Sequence, residues 1–233
     1  MNQRPGLASS ATRLLTARRP ARAVGLFRIG IGLAVLLRGL ETQPEIGAVT
    51  AVWMLAGAGL TLGVGARLCA GVLCALSIGL HVVDQNFWAH HVYFMTLVLL
   101  PLTIIDSDAS LSVRWLRDRR PERDVLWWPV WLVQVQLLNP AFLEGAVLQG
   151  AMALPPEWAW LALPVLAAEF FVGGALWVPA LRPWALLLGF GLHGLVPVLM
   201  GPYAGLLVFS LLVWSVYILF VDDRPQSRLV VWG

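Results

Sequence analysis

The chain is 233 residues long, 59% apolar and 12% charged, with a mean hydropathy of +0.77 and a formal net charge of +3. Apolar stretches on this scale cannot be buried inside one soluble core, which excludes a soluble enzyme, a disordered chain, a disulfide-stapled domain and a nucleic-acid-binding protein. The composition predicts an all-α polytopic membrane protein with about eight transmembrane helices and no soluble domain.

Residues 1–22 carry five arginines with Pro5 and Pro20. They read as a basic cytoplasmic arm rather than a signal peptide, because the apolar stretch that follows contains Arg28 and Arg38 and has no A-x-A cleavage signal. Apolar stretches then run over roughly 23–40, 46–64, 67–84, 87–105, 125–143, 157–178, 183–200 and 203–221, each near the ~20 residues that cross ~30 Å of hydrocarbon. Gly30 with Gly32, and Gly59 with Gly63, read as ordinary small-residue helix packing. Cys69 and Cys74 are five apart, without CxxC spacing, and read as packing residues.

Segment 106–124 mixes five acidic with five basic residues and reads as a solvated cytoplasmic connector. The fifth stretch is the weakest: its unbroken apolar part ends at Leu138, and Asn139 and Pro140 leave a re-entrant or half-length helix open. Residues 23–222 thus form the transmembrane domain and 223–233 a cytoplasmic tail. If all eight stretches cross, 14 of the 16 arginines fall in segments on one side and none in the opposite loops. The positive-inside rule then puts both termini in the cytoplasm.

All 16 basic residues are arginine, and the absence of lysine removes Schiff-base and amine general-base chemistry. An ionisable group inside a span costs enough to be a site hypothesis with a partner to be named. Arg38, His81, Asp84, His90 and His91 fall towards the outer edge of the spans, and Arg28, Gln134, Gln136, Glu169 and His193 nearer the middle. His81 and Asp84, three apart, share a helical face, so the carboxylate can fix the imidazole tautomer for proton transfer. A histidine capped by its neighbour at the headgroup boundary is the other reading. His90 and His91 are about 100° apart on a helix and cannot both face one cavity. Nothing in the spacing demands a metal, and neither a multi-histidine desaturase box nor a rhomboid-type Gly-x-Ser-Gly motif is present. Glu169 and His193 lie at similar depth on antiparallel helices, so Glu169 is expected either to be neutralised by Arg28 or His193 or to stay protonated.

The run Asp84-Gln-Asn-Phe-Trp88-Ala-His90-His91-Val-Tyr93-Phe resembles the signature of the vitamin K-dependent gamma-carboxylases and their bacterial relatives, the horizontally transferred transmembrane (HTTM) domain family. Asn139-Pro140-Ala-Phe142-Leu-Glu144-Gly145 is similar to that family's Asp/Asn-x-x-aromatic-x-Glu-Gly turn, and Glu169, Leu181-Arg182-Pro183 and Leu192-His193-Gly194 follow the family order. The resemblance covers roughly 24–222. It implies that His91 stands at a vitamin K or menaquinone pocket, with Asp84 before it and Trp88, Tyr93, Glu144, Glu169 and His193 as further ligand-binding positions. It also implies what is missing: the family's tyrosine-rich stretch ending in a lysine base is replaced by Val133-Gln134-Val135-Gln136-Leu137-Leu138 running straight into Asn139. A quinol needs a base of tuned pKa at its ring hydroxyl, and glutamine cannot supply one.

The expected function is therefore a membrane protein with carboxylase-like architecture that binds a quinone or another lipid in an outer-leaflet pocket, without glutamate carboxylase activity. Two other readings stand beside it: an enzyme using His91 with His81 and Asp84 as acid and base, and a structural or assembly subunit of a membrane complex. The expected partners are membrane lipids and a quinone, with no nucleic acid and no metal.

Overall fold

The computed structural model describes residues 12, 15–42, 47–83, 89–119, 121–138, 160, 162–200 and 204–221. Each of the eight apolar stretches holds an apolar helix. These are α1 (Arg22–Thr42), α2 (Ala48–Leu62), α3 (Ala66–Val83), α4 (His90–Leu102), α6 (Trp128–Val135), α7 (Ala162–Ala175), α8 (Arg182–Met200) and α9 (Ala204–Ile218). The connector adds the short helix α5 (Val113–Asp118). Arg22–Glu41, Ala66–Val83 and Arg182–Leu199 are long and apolar enough to cross a bilayer. The outside of the bundle is itself apolar: Leu55, Leu68, Val82, Leu163, Leu187 and Val198 are each about two-thirds exposed or more. In water such a surface would aggregate, and in lipid it is the ordinary solvent-facing side.

Helix α6 tightens into a 3-10 turn at Gln136–Leu138, so regular α-helix stops just short of the point where the apolar run gives out. Asn139, Pro140 and Glu144 lie outside the described residues.

The first and last helices lie side by side, with α1 between α2 and α9, and α4 touches α1, α3, α6 and α9. Gly30 and Gly32, about 200° apart on α1, admit these two neighbours. A Cβ on Gly30 would collide with Ser215 of α9, and one on Gly32 with Thr61 of α2. Small residues are what let helix backbones approach this closely where no hydrophobic force pulls them together. Helix α2 ends at Gly63, which takes the left-handed conformation (φ 71°) and turns the chain straight into α3.

Arg28 is fully buried between these elements. Its Nη1 donates to the carbonyls of Leu60 (2.6 Å) and Thr61 (2.8 Å), its Nη2 to Leu111 (2.8 Å) and its Nε to Ser107 (3.0 Å). The last carbonyls of a helix have no partner within it and carry partial negative charge, which makes the C-terminus of α2 a natural seat for a guanidinium. Arg28 is thereby committed to the α2 end and the 105–112 segment, correcting the expectation that it is available to Glu169. The connector departs from the expected solvated loop for the same reason. Ser107, Ser110 and Ser112 are buried, because the carbonyls around them turn inward to the arginine.

The basic arm is also structured where it meets the bundle. Strand β1 (Arg18–Pro20) pairs antiparallel with β2 (Asp124–Leu126), Arg18 opposite Leu126 and Pro20 opposite Asp124. The Arg19 guanidinium lies 4.7 Å from the centre of the Trp127 ring, and Trp127 N–H donates to the Ala17 carbonyl (2.9 Å).

Candidate functional site

Of the residues singled out in the sequence, Asp84, Trp88 and Glu144 lie outside the described residues, as does the side chain of His90. His81, His91, Tyr93, Glu169 and His193 are described, and they fall into separate groups.

His81 occupies the last turn of α3, where its Nδ1 donates to the carbonyl of Ser77 one turn back. That bond fixes the Nδ1–H tautomer and leaves Nε2 as the acceptor nitrogen. His91 lies in the first turn of α4, with its ring against the first turn of α9: a Cβ on Gly205 would stand 3.3 Å from its Cε1. A side chain at 205 would crowd the imidazole. Tyr93, two residues on, is about 200° around the helix from His91, so the two flank α4 rather than line one wall.

The second group spans α7, α8 and α9. His193 is buried on α8, with Nδ1 donating to the Gly189 carbonyl (3.0 Å) and the Tyr217 hydroxyl 3.4 Å from the same nitrogen. Its ring stands between those of Phe209 (5.4 Å) and Tyr217 (5.8 Å). Ser210 Oγ donates to the His193 carbonyl (2.7 Å), tying α9 to α8 at this level. Gly189 makes the cluster possible, since a Cβ there would meet Tyr217 Cε2 at 2.7 Å. Glu169 of α7 is close enough to Tyr217 to act on it electrostatically. Its Oε2 is buried with no hydrogen-bond partner among the described residues. Tyr217 thus has both the acid and the histidine as neighbours. Nothing in the apolar periodicity marks Tyr217; the available signal was a phenol inside a span, whose hydroxyl needs a partner once buried.

The two groups are held apart along α9. His91 meets Gly205, whereas His193 meets Phe209 and Tyr217, between about 6 and 18 Å further along the axis at 1.5 Å per residue. One compact head group cannot bond both histidines, but an elongated molecule lying along α9 can touch both levels.

Gln134 is the third point of interest. It is buried on α6 and donates Nε2–H to the Leu219 carbonyl (2.9 Å), just past the end of α9. A side chain in the helix where the resemblance expects a base is instead a helix-end cap. Among the described residues, no three of His, Cys, Asp and Glu come together as a metal-ligand set.

An apolar exterior around closely approached helices, with polar side chains turned inward, defines an α-helical membrane protein. The HTTM domain family matches residues 34–158, more than half of the chain, and the protein belongs to that family. The matched range includes His81, Asp84, Trp88, His91, Tyr93 and Glu144 and stops before Glu169, His193 and Tyr217. No curated protein and no solved structure matches the chain.

Proposed function

We propose that this HTTM-family membrane protein holds a quinone or another lipid in a pocket at the outer-leaflet end of the bundle, with His91 as its polar contact, and that it has no glutamate carboxylase activity. The observation that carries this reading is the seating of the His91 ring against Gly205, where the first turns of α4 and α9 meet and a polar ring stands among apolar helices. A quinone carbonyl or hydroxyl needs one such contact, and its apolar tail needs a lipid-like wall. The second half of the proposal rests on chemistry: the chain has no lysine, and Gln134 is engaged with Leu219. In this reading all eight apolar helices cross, both termini are cytoplasmic, and the membrane is a bacterial inner membrane.

The test is binding of a short-chain menaquinone analogue to the purified protein. His91→Ala is expected to weaken it by about 1–2 kcal/mol, the range for one buried hydrogen bond, at nearly unchanged melting temperature. His193→Ala is the control, expected to act mainly through stability because its ring is enclosed by Phe209 and Tyr217. No analogue binding and no copurifying quinone would overturn the reading in favour of a structural subunit. Membranes given vitamin K hydroquinone, oxygen and labelled bicarbonate should fix no label into glutamyl peptides. Incorporation that His91→Ala abolishes would establish the enzyme reading instead. For topology, reporters after Ser112 and Arg228 should read cytoplasmic and one near Gly150 extracytoplasmic; Gly150 on the cytoplasmic side would remove the fifth crossing.

A further inference from the structure

On the face that carries the start of α1, the α2–α3 turn and the end of α4, a cleft of about 100 Å³ is lined by Asp106, Asp108, Ala109, Arg114, Trp115 and Arg123. Two acids and two bases suggest a neutral surface, but the pairing runs otherwise. Asp106 is 3.3 Å from Arg67, and Asp108 is within electrostatic reach of Arg28; neither of those arginines lines the cleft. Burial first, and then the hydrogen bond and charge of Asp106, lift the Asp108 carboxyl above its usual range, which favours its neutral form. Of the arginines of the cleft, Arg114 is ion-paired with Asp118 (3.8 Å), which Arg117 also holds (3.0 Å), and the Arg123 side chain makes no hydrogen bond or ion pair among the described residues. Trp115 Nε1–H is buried with no acceptor among them.

The backbone that carries these donors is anchored. Ser112 Oγ accepts from Trp115 N–H (3.0 Å) and donates to the Asp108 carbonyl (2.7 Å), fixing the first turn of α5 onto the floor of the cleft. The Arg123 carbonyl accepts from Ala21 N–H (3.2 Å), at the edge of the β1–β2 strap. Trp127 and Trp128 follow at once, the residue type that gathers at headgroup level.

We propose that this cleft binds a phosphate ester, with the Arg114 and Arg123 guanidinium groups on its oxygens and Trp115 Nε1–H as a third donor. Three donors that line one small cleft, one of them an arginine with no ion pair among the described residues, match a group with several acceptor oxygens, and guanidinium forks suit it geometrically. The ester is supplied either by a lipid headgroup or by a soluble metabolite. The site is independent of the quinone reading.

Lipid retention by the detergent-purified full-length protein, followed by native mass spectrometry, tests this with phosphatidic acid, diacylglycerol and glycerol phosphate as probes. Phosphatidic acid is expected to be retained over diacylglycerol, and the double variant Arg114→Gln, Arg123→Gln to lose about tenfold in that preference. Trp115→Phe, which removes only the donor, should lose about two- to threefold. Arg117→Gln, exposed on the same helix and outside the cleft, should stay within about twofold. Glycerol phosphate that displaces the lipid, and whose binding falls in the same variants, assigns the site to a soluble ester; failure to displace assigns it to the headgroup. Equal retention of phosphatidic acid and diacylglycerol by the unaltered protein overturns the proposal. So does an Arg117→Gln loss as large as that of the double variant, which would mark a diffuse surface field.

Discussion

Arg28, buried on α1, and Glu169, partly buried on α7, both sit among apolar helices, and their surroundings are opposite. Arg28 reaches four carbonyls from two segments of chain and leaves no nitrogen without an acceptor. Glu169 has one carboxylate oxygen buried with no partner among the described residues, and its electrostatic neighbour Tyr217 turns its hydroxyl towards His193. Both residues are expensive to place in a membrane. Where every donor is satisfied by backbone, the cost is offset locally and the residue holds helices together. Where a buried acceptor has no partner among the described residues, ligand or proton chemistry is the natural place to look.

The contrast breaks most readily at Arg28. Arg28→Met should lower stability by about 3–5 kcal/mol, because it takes their donor from the carbonyls of Thr61, Ser107 and Leu111 and leaves that of Leu60 with the Gly63 N–H alone. Thermal unfolding in detergent reads this directly, and Arg28→Lys should recover only part of it, since one ammonium cannot span both segments. A loss under about 1 kcal/mol would remove the clamp from the account.

A smaller effect is expected where α8 and α9 meet. Gly189→Ala puts a methyl 2.7 Å from the Tyr217 ring and should cost about 1–3 kcal/mol by overpacking. Much of that cost should vanish in a Tyr217→Ala background; additive costs would place the strain elsewhere. Tyr217→Phe keeps the edge-on contacts with Phe190 and His193 and loses only a long hydrogen bond, so about 0.5 kcal/mol is expected.

The smallest effect sharpens the comparison. Glu169→Gln should leave the melting midpoint within about 0.5 kcal/mol of the parent, since the carboxylate oxygen it alters has no partner among the described residues. A drop of 2 kcal/mol or more, on the order of a broken buried network, would show that Glu169 is structural like Arg28.

The helices were legible because apolar run length speaks directly, and each of the eight stretches contains one. The weakness of the fifth was legible too, in Asn139 and Pro140 just beyond the 3-10 turn. The role of Arg28 was not, because its acceptors are main-chain carbonyls and no residue type announces them. The inward turn of the connector followed from Arg28 and was hidden with it, behind five acidic and five basic residues that read as solvated. Strands of three residues are too short for a period-two pattern, so the pairing of Arg18–Pro20 with Asp124–Leu126 carried no signal. At the candidate site, matching depth pointed to one region for Glu169 and His193, but depth alone does not name Tyr217, the phenol that neighbours both.

The Arg28 clamp also sets an order of events during synthesis. Its first acceptors, Leu60 and Thr61, are 32 and 33 residues downstream, and Ser107 and Leu111 are 79 and 83. At about 5–20 residues per second, α1 waits roughly 2–6 s for the first carbonyl and roughly 4–17 s for the last. Until then it carries an uncapped guanidinium, which costs about 2.5–3.5 kcal/mol at the centre of a span and less towards its end. Helix α1 is therefore fully satisfied only once α4 and the start of the connector are made, and a chain stalled between residues 62 and 105 holds Arg28 on two of its four carbonyls.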